Sequence, residues 1–140
     1  MNLDQLYRSL IMDHAKNPRH KGLKGHPSCH LRNPSCGDEI TLEALVENEK
    51  AVEVNHDGHG CSICCASASV LCELATGKEV KTLQTIMNDY YKMIQGEEIP
   101  DEERLEDAVV FHGISQFPAR MKCATIAWKA LEEVLGEQHE

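Results

Sequence analysis

No run of about 18 apolar residues occurs anywhere in the chain, which excludes a helix able to span a bilayer. The opening stretch MNLDQLYRSLIMDHAK also lacks a basic n-region, an uninterrupted apolar segment and a small-residue cleavage site, so it does not read as a signal peptide. A cytoplasmic location is the expectation. Positive charge is in deficit: 14 Lys and Arg face 23 Asp and Glu, for a formal net charge of −9. Such a surface repels a phosphate backbone, so nucleic acid is not expected as a partner. Internal repeats and low-complexity tracts are absent, and no second C-x-x-C accompanies Cys61 and Cys64, which counts against a zinc ribbon built from two such pairs.

What is present fits one ordinary globular domain over residues 1–140, with 41% hydrophobic and 26% charged residues and enough length to bury a core without disulfides. Seven cysteines are the conspicuous feature. In a reducing compartment they favour metal binding or thiol chemistry over disulfides, and some serve as small core residues. The acidic run GEEIPDEERLED (96–107) reads as a solvated loop, with a basic protein partner as the alternative.

Periodicity predicts the elements. Leu3, Leu6, Tyr7, Leu10, Ile11 and His14 form a helical stripe, with Asn2 as its cap and NPRHKG as its end. Residues 17–35 read as an irregular connection. Ile40, Leu42, Ala44 and Val46 alternate with mostly polar residues, ENEK makes a turn, and Val52 and Val54 alternate again, predicting a β-hairpin that HDGHG (56–60) breaks. Three further helices follow: 62–75 with Gly77 as its stop, a segment capped by Thr82 and stopped by Gly96, and 117–136 with Pro118 in its first turn. A short helical pattern at 104–112 ends in Gly113. The order implies an α+β domain, a small antiparallel β-sheet with helices packed on one face.

The cysteines differ in setting. Cys36 lies on an NPSCGD turn, and Asp38, across a glycine, has the reach to aim a carboxylate at the same spot; a turn closed by that aspartate beside a bystander thiol is the other reading. Cys61 follows Gly-x-Gly at a helix start, where the dipole favours a thiolate. Cys123 sits in the first turns of the last helix between Arg120, Lys122 and the helix body, and those cations are expected to depress its pKa. Three thiolates plus Asp38 satisfy a tetrahedral zinc. Cys64 and Cys65 read mainly as packing, Cys72 as core and Cys29 as a loop residue. His26, His30, His56 and His59 form a competing set of ligands, solvated histidine being the commoner outcome.

The blocks NPSCGDEITLEALVE, GHGCSICCASASVL and GISQFPARMKCATIAWKALEEVL resemble the iron–sulfur assembly family that comprises IscU, SufU and the N-terminal part of NifU, and LYRSLIMDHAKNPRHKG is similar to its first helix. Lys122 stands where the IscU branch has a histidine, FPARMK replaces the chaperone-binding proline–valine–lysine peptide, and extra residues surround EEIPDEERLED; all three resemble the SufU branch. The resemblance implies zinc held by Cys36, Asp38, Cys61 and Cys123, with Cys36 the sulfur acceptor from a SufS-type cysteine desulfurase and other iron–sulfur assembly proteins downstream. A desulfurase histidine would then replace Cys36 at the zinc, and Arg120 and Lys122 would stabilise the persulfide. The alternatives are a scaffold for a transient [2Fe–2S] cluster and a structural zinc module. Cys64, Cys65 and His59 depart from the residues expected of relatives, and His59 or Cys64 has the option of reaching the metal.

Overall fold

The structure, a computed structural model, describes residues 3–138. Its elements are α1 (Leu3–Lys16), β1 (Ser28–Asn33), β2 (Asp38–Glu47), β3 (Lys50–His59), α2 (Ser62–Ala75), α3 (Val80–Ile94), a 3₁₀ segment (Glu102–Gln116) and α4 (Pro118–Gln138). The strands form one antiparallel sheet in the order β1-β2-β3, with helices α2 and α4 against it, as the α+β reading expects. The cap proposed at Asn2 lies outside the described residues.

Alternation explains the sheet. Ile40, Leu42 and Ala44 of the central strand are buried, and the stripe Ala124, Ala127, Trp128, Leu131 and Leu135 of α4 is buried with them. Asn48 and Glu49 close the β2–β3 hairpin with φ of 52° and 65°, the paired left-handed geometry that matches the twist of a hairpin. The other side of β2 carries Glu43, 1% exposed. Its carboxylate accepts the backbone N–H groups of Lys24, Gly25 and His26 and the Asn55 side-chain amide at 2.8 Å. Burial opposes that charge, but these donors outweigh it and hold the carboxyl below its ordinary range. A loop with no apolar stripe is thereby fastened to the sheet.

Several expectations need correction. Residues 17–35 are not wholly irregular: Ser28–Asn33 pair with β2 from Ser28↔Glu43 to Asn33↔Asp38. As a short edge strand between two prolines it carries little hydrophobic alternation. Val52 and Val54 do not share a face, because a register shift between Leu45 and Val46 leaves Val52 43% exposed. HDGHG does not break β3, which runs on to His59 opposite Glu39. Thr82 is not a cap; α3 starts at Val80, whose N–H is taken by the Glu49 carbonyl of the hairpin at 2.8 Å. The 104–112 pattern is part of a longer 3₁₀ segment kinked at Glu106 and running past Gly113. Finally, Leu3 and Leu6 of the α1 stripe are exposed, while His14 is buried.

Candidate metal centre

Three remote parts of the chain converge where β2, the start of α2 and the first turns of α4 meet. Cys36 is carried by the β1–β2 turn, in which the backbone N–H groups of Cys36 and Gly37 both donate to the Asn33 carbonyl, and Gly37 takes φ of 74°. Asp38 begins β2 with its side chain inward and fully buried. Cys123 reaches the same point from α4 and is 1% exposed. Their ligand atoms lie within 4.8 Å of one another, and the Cys36 and Cys123 Sγ atoms are 3.3 Å apart.

Cys61 borders this group without belonging to that triplet. It is the N-cap of α2, its Sγ accepting the Cys64 N–H at 3.4 Å, and its own N–H donates to Asp38 Oδ1 at 2.9 Å. Burial first, then Asp38, Cys36 and Cys61, push the Cys123 thiol strongly upward. Arg120 and Lys122 do not counter this; both are exposed, and the expected depression of Cys123 is reversed. Lys122 instead lines a groove with Asn33, Pro34 and Lys129.

The centre fits a thiophilic cation on two grounds. Asp38 Oδ2 is buried with no hydrogen-bond partner, an expensive condition for a carboxylate oxygen that is not receiving a cation. Asp38 and the neighbouring thiols also raise the proton affinity of Cys123, which a positive ion would reverse. Thiolate sulfur with one carboxylate oxygen is a donor set for zinc or for an iron–sulfur unit.

Two contributors were missed in the sequence. Asn33 Nδ2 donates to Cys36 Sγ at 3.0 Å, and nothing in NPSC announces that contact. The glycines of the G-x-G were readable only as loop residues. A Cβ at Gly60 would run into the Asp38 carboxylate, and one at Gly58, where φ is 142°, into the Glu39 carbonyl.

The remaining candidates are dispersed. Cys64 and Cys72 are buried, their thiols pushed up mainly by desolvation. Cys65 is half-buried and bonds the Gly60 carbonyl. Cys29 is a strand residue rather than a loop residue; its thiol donates to Glu133 at 3.1 Å and is pushed up to about 11 by burial and that carboxylate. His26 pairs with Glu53, His30 and His59 with Glu39, and His56 is buried with Nε2 on the Arg19 carbonyl at 3.0 Å. None of these four histidines joins the Cys36 group.

A family model for the NifU-like N-terminal domain matches residues 6–124. The chain belongs to the NifU-like N-terminal domain family. It is 42% identical over 138 residues to the zinc-dependent sulfurtransferase SufU of Bacillus subtilis, covering 98% of this chain and 94% of that one. It is 36% identical over 134 residues to the iron–sulfur cluster assembly scaffold protein IscU of Streptococcus pyogenes, covering 95% and 84%. The crystal structure of a SufU-type scaffold protein for the SUF system from Fervidobacterium islandicum superposes with a TM-score of 0.83 at 34% identity, covering 96% and 99%. No helix among the described residues is long and apolar enough to cross a membrane.

Proposed function

We propose that this chain is a zinc-dependent sulfur acceptor that takes persulfide sulfur from a SufS-type cysteine desulfurase and passes it into iron–sulfur cluster assembly in the cytoplasm. The observation that carries the reading is the combination of an exposed Cys36 thiol with buried partners: Cys123 and the unpartnered Asp38 oxygen stand behind it, closed to solvent. Cys36, Asp38, Cys61 and Cys123 would hold the ion, whose chemistry is to keep thiols deprotonated and ordered at neutral pH.

The chain's own residues do the rest. Cys36 is the member of the triplet that an incoming persulfide can reach. Its thiolate attacks the outer sulfur of the donor persulfide, a new S–S bond forms at Cys36, and the donor's S–S bond breaks to return the desulfurase cysteine as a thiolate. No net oxidation occurs. Asn33 donates to Cys36 Sγ and steadies the attacking anion. Asp38, its Oδ1 bound to the Cys61 N–H, would be the hard, weak donor in a soft set, which would leave a bound ion able to tolerate the freeing of Cys36. Arg120 and Lys122, both exposed on the first turns of α4, are assigned to the persulfide anion once it stands clear of the buried group.

The same donors support a second reading, a scaffold on which a [2Fe–2S] cluster is built as cargo; the IscU relative's name favours it. Metal and acid-labile sulfide analysis of anaerobically purified protein separates the two. One zinc per chain without sulfide, with persulfide transfer abolished in Cys36→Ala, supports sulfur relay; iron with equimolar sulfide supports the scaffold. Chelation tests the third alternative. The core built around Trp128, Tyr90 and Leu42 owes nothing to the metal, so the stripped protein is expected to stay folded, whereas a structural zinc module would unfold.

A further inference from the structure

A second cluster of ligating side chains lies apart from the cysteines. His14 from α1, Glu73 from α2 and Asp107 from the 3₁₀ segment place ligand atoms within 4.8 Å of one another. The cluster is more than an acidic surface patch because its third member is a buried imidazole. His14 is 1% exposed, and its Nδ1 is 2.8 Å from Ser69 Oγ, which already accepts the Arg19 N–H. The ring is therefore locked, with Nε2 aimed at the two carboxylates. Nε2 is hydrogen-bonded to Asp107 Oδ2 at 3.4 Å, longer than the usual 2.7–3.2 Å, and that long bond is the one an ion would replace.

We infer that His14, Glu73 and Asp107 form a second divalent-cation site, suited to a hard or borderline ion such as Mn²⁺ or Fe²⁺. One imidazole and two carboxylates match those ions, whereas thiolates select softer ones. The Glu73 and Asp107 side chains are 48% and 51% exposed, so the ion enters from solvent and keeps water in its remaining positions. Nδ1 is anchored on Ser69 Oγ, so an ion at Nε2 takes the place of the Asp107 contact and leaves the ring proton on Nδ1. Arg19 acts as the resident counter-charge. Its guanidinium is held by Asp13 at 2.7 Å and reaches Glu73 at 3.9 Å, a loose contact that a cation displaces. Since the ligands come from three elements, occupancy ties the half-exposed α1 to α2 and the 3₁₀ segment.

The site is tested with Mn²⁺ as the probe, by electron paramagnetic resonance titration of the full chain supplied with one equivalent of zinc. This readout does not depend on sulfur transfer. One saturable Mn²⁺ per chain is expected, without zinc release and with an upward shift in thermal midpoint. Glu73→Gln and Asp107→Asn should each weaken binding on the order of tenfold or more, while Arg19→Gln should tighten it by freeing Glu73. His14→Gln should abolish binding; if that variant does not fold, the two exposed carboxylate variants decide. No saturable binding, release of zinc by Mn²⁺, or affinity unchanged in both carboxylate variants would overturn the assignment.

Discussion

Helices α2 and α4 carry two polar meeting places built on opposite rules. At Ser67 and Ala124 every group is closed. Ser67 Oγ and Tyr90 Oη each donate to the Ala124 carbonyl at 2.7 Å, Trp128 Nε1 donates to Ser67 Oγ at 2.9 Å, and the Tyr90 and Trp128 rings stack with centroids 3.6 Å apart. One residue earlier, Cys123 faces Cys36, and the Asp38 oxygen beside them has nothing. The chain satisfies buried polar atoms readily, so a place where it leaves them open is a place kept for something from outside. Even the buried Asp89 Oδ2, which makes no hydrogen bond, has Arg104 at 3.3 Å.

Breaking the closed end should have the largest effect. Trp128→Ala deletes a fully buried stacked ring and is expected to cost about 3–5 kcal/mol in urea unfolding, while zinc per folded chain stays unchanged. Breaking the open end should do the reverse. Gly60→Ala places a methyl where the Asp38 carboxylate sits and should weaken zinc binding about ten- to a hundredfold, with little change in the melting of the stripped protein. Asn33→Ala probes the reactive thiol alone: losing one donor to a sulfur anion should slow persulfide acceptance about tenfold, leaving metal content intact. The smallest effect concerns pH. Burial lowers the His56 pKa below 6.5, so the unfolded chain takes up the proton first. His56 therefore contributes stability above about pH 6.5 that is lost as pH falls through its lowered value, and His56→Gln should flatten that dependence in thermal scans between about pH 7 and pH 5.

Legibility in the sequence followed the same division. Elements that bury a periodic face were readable: β2 through Ile40, Leu42 and Ala44, and α4 through its stripe from Ala124 to Leu135. Elements fixed by single polar contacts were not. The edge strand β1 and the loop clamped by Glu43 depend on backbone hydrogen bonds to a distant carboxylate and strand, and α3 starts two residues before Thr82 because the Glu49 carbonyl waits there. At the centre, the turn at Cys36 and the helix-start settings of Cys61 and Cys123 were readable because such settings are local properties. The Asn33 contact and the reversed pKa direction of Cys123 were hidden, since each depends on neighbours that only the fold supplies.

The scatter of the donors along the chain has a consequence for biosynthesis. Positions 36, 38 and 61 emerge early in translation, whereas Cys123 arrives on α4, the helix that covers β1 and β2. On the proposed zinc reading, a nascent or truncated chain with the first three donors would lack a complete cage, and the ion would not be held tightly until α4 had docked. Tight metal retention would then be a certificate of finished folding, which an incomplete chain cannot counterfeit.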